Sequence, residues 1–165
     1  MLTLDRSDIQ RALVNVTKSE RAAVAFPPGF DDVPWAALDF YGWRDLKKPQ
    51  RGYLVRVRGD GPVAVAVQTV AAPTATPRKA MCSLCRAVDA ASSIALFAAR
   101  RSGPDGRKGD TVGTYICSGL DCSAQLRMPT PKVGRAIIGA KDADLDVLAA
   151  DMLVRLDSFF ISVGV

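Results

Sequence analysis

Two hydrophobic periods run through this chain, one matching a strand and one matching a helix. Residues 53–58 read Tyr-Leu-Val-Arg-Val-Arg, Gly59-Asp60-Gly61 supplies a turn, and residues 63–67 alternate again, which predicts a β-hairpin. Residues 94–99 and 111–116 form a second pair of strand-like runs. Near the C-terminus Leu145, Ala149, Met152, Leu156, Phe159 and Val163 recur in steps of four and three behind the capping candidates Asp142 and Asp144. That spacing predicts one long amphipathic helix over residues 142–163. Near the N-terminus Ser7 with Gln10 three positions on reads as a helix cap, and Ile9, Ala12, Leu13 and Val16 share a face. A second short helix over residues 22–26 is ended by Pro27-Pro28-Gly29, because proline lacks an amide hydrogen and fixes φ.

Between these elements the pattern is less regular. Residues 33–51 gather Trp35, Leu38, Phe40, Tyr41 and Trp43 among prolines and charges. They are read as a local core pinning an irregular segment to the sheet, with Trp43 and Arg44 as the side chains left outside for a partner or for base stacking. The run of Ala, Pro and Thr over residues 71–77 reads as a connector. We place a boundary there, giving an N-terminal unit over residues 1–75 (helical segment and hairpin, packed on the rest) and a second unit over residues 76–165. Residues 100–110 hold so many glycines, prolines and charges that they are expected to project as a flexible basic loop. Asn15-Val16-Thr17 matches a glycosylation acceptor, which carries no weight without a secretory signal.

Four cysteines change the picture. Cys82 and Cys85 form one close pair, Cys117 and Cys122 the other, and the chain has no further cysteine. Two such pairs separated by a hairpin can converge tetrahedrally on one Zn²⁺. A thiol redox motif would leave the second pair unexplained, and a disulfide framework needs an oxidising compartment. The N-terminus carries Asp5 and Asp8 and no apolar signal core, so the chain is expected in the reducing cytoplasm. The chain contains no histidine, which removes the commonest general base. Four thiolates also fill the coordination shell, so the zinc is expected to be structural and the protein not an enzyme.

With 165 residues the chain is long enough for a real core, and its most continuous apolar stretch is too short to span a bilayer. No membrane partner and no small-molecule substrate is expected. The formal charge of +5 is uneven: residues 78–135 carry 10 Lys and Arg against 4 Asp and Glu, whereas residues 136–165 carry 2 against 5. A basic zinc region suits RNA or an acidic protein surface, and a merely solvated face accounts for it as well. A metal turn with hairpin, a strand pair, and a ligand-bearing helix start near Asp121 or Cys122 together make a treble clef. The predicted fold is therefore α+β: a small antiparallel sheet with a treble-clef four-cysteine zinc finger, short N-terminal helices and a long C-terminal helix.

The ordered motifs CSLC, LFAARR, GDTVGTYIC and SGLDC, with YGWRD at residues 41–45, resemble the elongation factor G-binding zinc-finger proteins of bacteria. These include fusidic-acid-resistance proteins and an actinobacterial group, and the similarity is most specific over residues 80–128. The resemblance implies that Cys82, Cys85, Cys117 and Cys122 are the ligands of a treble-clef zinc finger. It also implies a non-enzymatic protein that binds elongation factor G through that region and helps free factor stalled on the ribosome. About fifty residues precede the first hairpin, fewer than the helical bundle of the resistance proteins needs, so binding is expected to outlast drug resistance as a shared property. On this reading Arg100, Arg101, Arg107 and Lys108 meet an acidic patch of the factor. The alternative is RNA or ribosome binding, with Trp43 and Tyr115 as stacking residues.

Overall fold

In the computed structural model, which describes residues 1–70, 80–89, 93–127, 136–137 and 144–165, the chain begins with α1 (Arg6–Ala12) and α2 (Lys18–Ala22). Strands β1 (Tyr41–Arg44), β2 (Arg51–Arg58) and β3 (Gly61–Thr69) follow. Then come β4 (Ala80–Met81), β5 (Ala87–Asp89), β6 (Ile94–Arg100), α3 (Gly103–Arg107) and β7 (Thr111–Cys117). The chain closes with α4 (Cys122–Leu126), β8 (Ala136–Ile137) and α5 (Leu145–Val163). Five strands form one sheet in the order β1-β2-β3-β6-β7, and β4-β5-β8 form a small second sheet. Among the described residues all pairs between these strands are antiparallel, and the α+β class and both predicted strand pairs are present. The connector at 71–77 lies outside the described residues. Strands from both sides of it share the larger sheet, through Gln68↔Ala98 and Thr69↔Phe97.

Side chains alternate across a strand, and here both faces of the sheet are used. Leu54, Val65 and Val67 point to one face, where Phe97, Ile116, Leu120 and the four cysteines lie together with Met152, Leu156, Phe160 and Val163 of α5. Tyr53, Val55, Ala64 and Ala66 point to the other, into a cluster with Ile9, Leu13, Phe30, Trp35 and Trp43. Trp43 is therefore core, not an exposed aromatic. It stacks between Phe26, Tyr41 and Tyr53 at 5.5, 5.3 and 4.9 Å, and its Nε1 donates to Ala25 O at 2.9 Å. A charged neighbour and a turn-rich context masked this, because β1 is short and its alternation is hard to see.

Local capping sets the helix starts. Asp5 caps α1 in a reciprocal box with Asp8, in place of the expected Ser7, whose hydroxyl donates to Asp5 instead. Thr17 and Glu20 form a second box that starts α2 at Lys18, so the helix ends at Ala22, where the expected one would begin. In α5 the predicted period holds: Ala149, Met152, Leu156, Phe159 and Val163 are buried, Phe160 joins them, and Asp144 caps the helix by accepting from Asp146 N at 2.8 Å. Leu145, in the first turn, stays exposed.

Beyond its two pairs with β6, strand β3 diverges, and the N-terminal segment fills the split. Val14 N donates to Ala64 O at 3.2 Å, and the buried Asn15 side chain bridges the gap. Its Nδ2 donates to Ala66 O (2.8 Å) and Arg100 O (3.0 Å), while its Oδ1 accepts from Ala66 N (2.9 Å). Asn15 thus substitutes for a missing strand, and the amide of the sequence's glycosylation motif is fully engaged inside the protein. Beside it, the Glu20 carboxylate accepts from Arg51 at 2.7 Å and Arg100 at 3.1 Å.

Two outcomes follow. Asn15→Ala leaves three backbone groups, two of them buried, without their Asn15 partners and should cost about 2–4 kcal/mol in denaturant unfolding; a change under ~1 kcal/mol would contradict the bridging role. Partial burial opposes the Glu20 charge, yet the Thr17 N–H and the two guanidiniums hold its carboxyl at about 2, below the ordinary 4.5. Its contribution to stability is therefore present above pH 4.5 and lost as pH falls towards 2. Glu20→Gln should flatten that part of the stability profile measured by acid titration.

Candidate metal centre

Chain order assembles the site from two pieces. The first is a tight turn between β4 and β5: Arg86 N donates to Cys82 O at 3.0 Å and Cys82 N to Ala87 O at 2.9 Å, with Arg86 in the left-handed region at φ 60°. The second follows β7, where Cys117 is the last strand residue, Leu120 N donates to Cys117 O at 2.8 Å, and Cys122 opens α4. Ser83 N donates to Tyr115 O at 2.7 Å, which docks the first turn on the edge of β7.

The result is a buried quartet of sulfurs, all within 4.8 Å of one another. Cys82 and Cys122 lie 3.7 Å apart, Cys85 and Cys117 3.6 Å apart. A tetrahedron with metal–sulfur bonds of 2.3 Å has edges of about 3.8 Å. A covalent S–S bond would need about 2.05 Å. The spacing thus fits a central ion. The hydrogen bond with Cys117 is the main cause holding the Cys85 thiol well below its usual range, and the Ala87 backbone N–H assists. The same neighbour pushes Cys122 up. Four crowded thiols without an ion must share protons in this way; a dication would hold all four as thiolates.

The sequence profile of the FBP C-terminal treble-clef zinc-finger family matches residues 8–163. The chain belongs to that family. No curated protein and no solved structure matched it. Family and geometry agree on the cofactor: Cys82, Cys85, Cys117 and Cys122 hold a structural Zn²⁺ in this zinc finger. Among the described residues no helix is long and apolar enough to cross a membrane.

What surrounds the zinc finger was largely invisible in sequence. Leu120, buried at φ 59°, rests on two glycines of the sheet. A Cβ on Gly42 would meet Leu120 O at 2.3 Å, and one on Gly52 would meet Leu120 Cδ1 at 2.3 Å. The YGWRD motif is thereby explained: Gly42 admits the second ligand loop, Trp43 fills the opposite core, and Arg44 lies 5.2 Å over the Phe97 ring while donating to Ser118 O at 3.3 Å. Asp45 is buried and accepts from Lys47 N (2.8 Å), Lys48 N (3.0 Å) and the Tyr53 hydroxyl (3.2 Å). Burial and the Asp45 charge push the Tyr53 phenol up to about 12, so it remains a donor.

Other clamps come from further along the chain. Arg155 of α5 donates to Leu84 O at 2.6 Å, holding the first metal turn. Ser123 of α4 accepts from Asp39 N at 2.7 Å, and Arg127 pairs with Asp39 (2.8 Å) and Asp146 (2.7 Å).

The four basic residues named from sequence do not share one environment. The stretch expected to be a flexible loop contains α3, because Pro104 sits in the first turn with its φ already helical and Ser102 precedes it. Arg100, in β6, is paired with Glu20. Arg101 pairs with Asp110 at 3.0 Å and donates to Ser162 O at the C-terminal end of α5. Arg107 and Lys108 are exposed.

Gly42→Ala should force the Leu120 carbonyl away and cost about 1–3 kcal/mol. Release of zinc to a colorimetric chelator should accelerate in the same variant, and an unchanged rate would show that the loop does not depend on this contact. Cys82→Ser should lose bound zinc by elemental analysis and, with it, cooperative melting of residues 80–128.

Proposed function

We propose that this zinc-finger protein is a binding protein, not an enzyme, that associates with elongation factor G and modulates its release from the ribosome. Membership of the FBP zinc-finger family supports this, as does the resemblance of CSLC, GDTVGTYIC and SGLDC to factor-binding proteins. The observation that carries the reading is physical. A coordination shell filled by four buried sulfurs leaves the metal no position for substrate, while it anchors β7 and so the basic residues that flank that strand. Arg107 and Lys108 reach solvent from α3 and its following turn, where an acidic protein surface can meet them.

Purified protein mixed with elongation factor G should co-elute in gel filtration at low salt and more weakly at about 0.15 M, where the screening length is near 8 Å. Absence of co-elution at both salt concentrations would reject the proposal. Retention of ribosomal RNA on a filter, with a steep dependence on salt, would favour the alternative of RNA binding.

A further inference from the structure

The two layers covering the sheet are unequal in extent. On one face, α5 and the metal turns span from β2 to β7. On the other, the N-terminal layer covers β1, β2 and most of β3, and its cluster contains no residue of β6 or β7. The register shows what is left: Gln68 pairs with Ala98, Ala98 with Gly113, Leu96 with Tyr115, and Arg100 with Thr111, so all seven side-chain positions share this second face. Gln68, Thr111, Gly113 and Tyr115 are exposed, and Leu96, Ala98 and Arg100 half-buried. Val70, 46% exposed, and Tyr115, 49% exposed, give it apolar ends.

A groove of about 640 Å³ runs along this face, between Asn15 on one side and Gly106 to Gly109 on the other. Its floor is apolar at Ala98 and Val70, and among the described residues its charged lining consists of Arg51, Arg100 and Arg107, with no carboxylate. Glu20 compensates Arg51 and Arg100 from outside the lining; among the described residues Arg107 has no ion-pair partner.

We infer that this open half of the sheet is the docking groove for an extended acidic segment of a protein partner. Its carboxylates would meet Arg107 and Arg100, and its apolar side chains would lie on Ala98 and Val70. Charge complementarity selects the occupant: the charged residues of the described lining are all cationic, and an apolar floor along the strands suits an extended chain with side chains alternating towards and away from it. This deepens the proposed association with elongation factor G by naming the face, and it separates the basic residues. Arg100 and Arg107 serve the groove, while Arg101 belongs to the capping of α5 and is excluded.

The test follows backbone amide signals by NMR in the zinc-loaded protein. One probe is a short peptide alternating glutamate and valine, the other oligouridine of matching length. The peptide should shift Ala98, Gly106, Gly109 and Gly113, and Arg107→Glu should weaken it by about tenfold. Tyr115→Ala should weaken it as well, whereas Lys47→Glu, an equal charge change at an exposed residue outside the groove, should leave it unchanged. Preference of these amides for oligouridine, shifts confined to another surface, or equal loss in the Lys47 variant would overturn the inference. Elongation factor G serves as a separate probe. Peptide binding here without factor binding would remove the factor and keep the groove; factor binding indifferent to Arg107→Glu would keep the factor and remove the groove.

Discussion

Leu120 on its glycine floor is the contact through which the zinc finger and the sheet become one object. Thiolates from two distant turns can be gathered by a dication, but the ion alone says nothing about how that cluster sits on the rest of the chain. Here the loop between Cys117 and Cys122 lies directly against Gly42 and Gly52, at distances that leave no room for a side chain on either strand residue. The carbonyl of Ser118 accepts from Arg44, and Arg44 covers Phe97. Metal ligation therefore shapes a surface that β1 and β2 are built to receive, and binding energy spent on the ion also stabilises the sheet.

The same sheet explains the unequal surfaces. Strands β2 and β3 are buried on both faces over residues 52–55 and 64–67, where no position is charged, whereas β6 from Leu96 to Arg100 and β7 from Thr111 to Tyr115 bury no residue on the second face. Asn15 and Glu20 mark the line where the N-terminal layer stops: the first supplies hydrogen bonds that a neighbouring strand would have made, and the second gathers the guanidiniums of Arg51 and Arg100. Past that line the sheet is open. A half-covered, positively lined sheet suits recognition, because its side chains are fixed by strand register and not by loop conformation.

Elements with strong periodicity were legible in the sequence. The hairpin, the β6 and β7 pair, α5 and the four ligands all follow from spacing alone, since each rests on a local repeat or on residue chemistry. Contacts between distant segments were not. Nothing near Gly42 announces Leu120, and nothing near Asn15 announces Ala66 or Arg100. Trp43 was misplaced for a related reason: a strand of four residues offers two positions per face, too few to reveal its buried side. Glycine and proline over residues 100–110 favour a loop when they act as breakers, whereas Pro104 in a first turn starts a helix. The capping boxes at Asp5 with Asp8 and at Thr17 with Glu20 obey the same rule as Ser7 with Gln10, so the spacing alone does not choose between Asp5 and Ser7.

Amide hydrogen exchange with and without zinc tests the union of metal and sheet most directly. On chelation, protection should fall at Leu54, Val65 and Phe97 of the sheet along with the ligand turns, because they share one core with the cysteines. Protection lost only around Cys82, Cys85, Cys117 and Cys122, with the sheet amides unaffected, would show that the zinc finger is an independent appendage and would contradict this account.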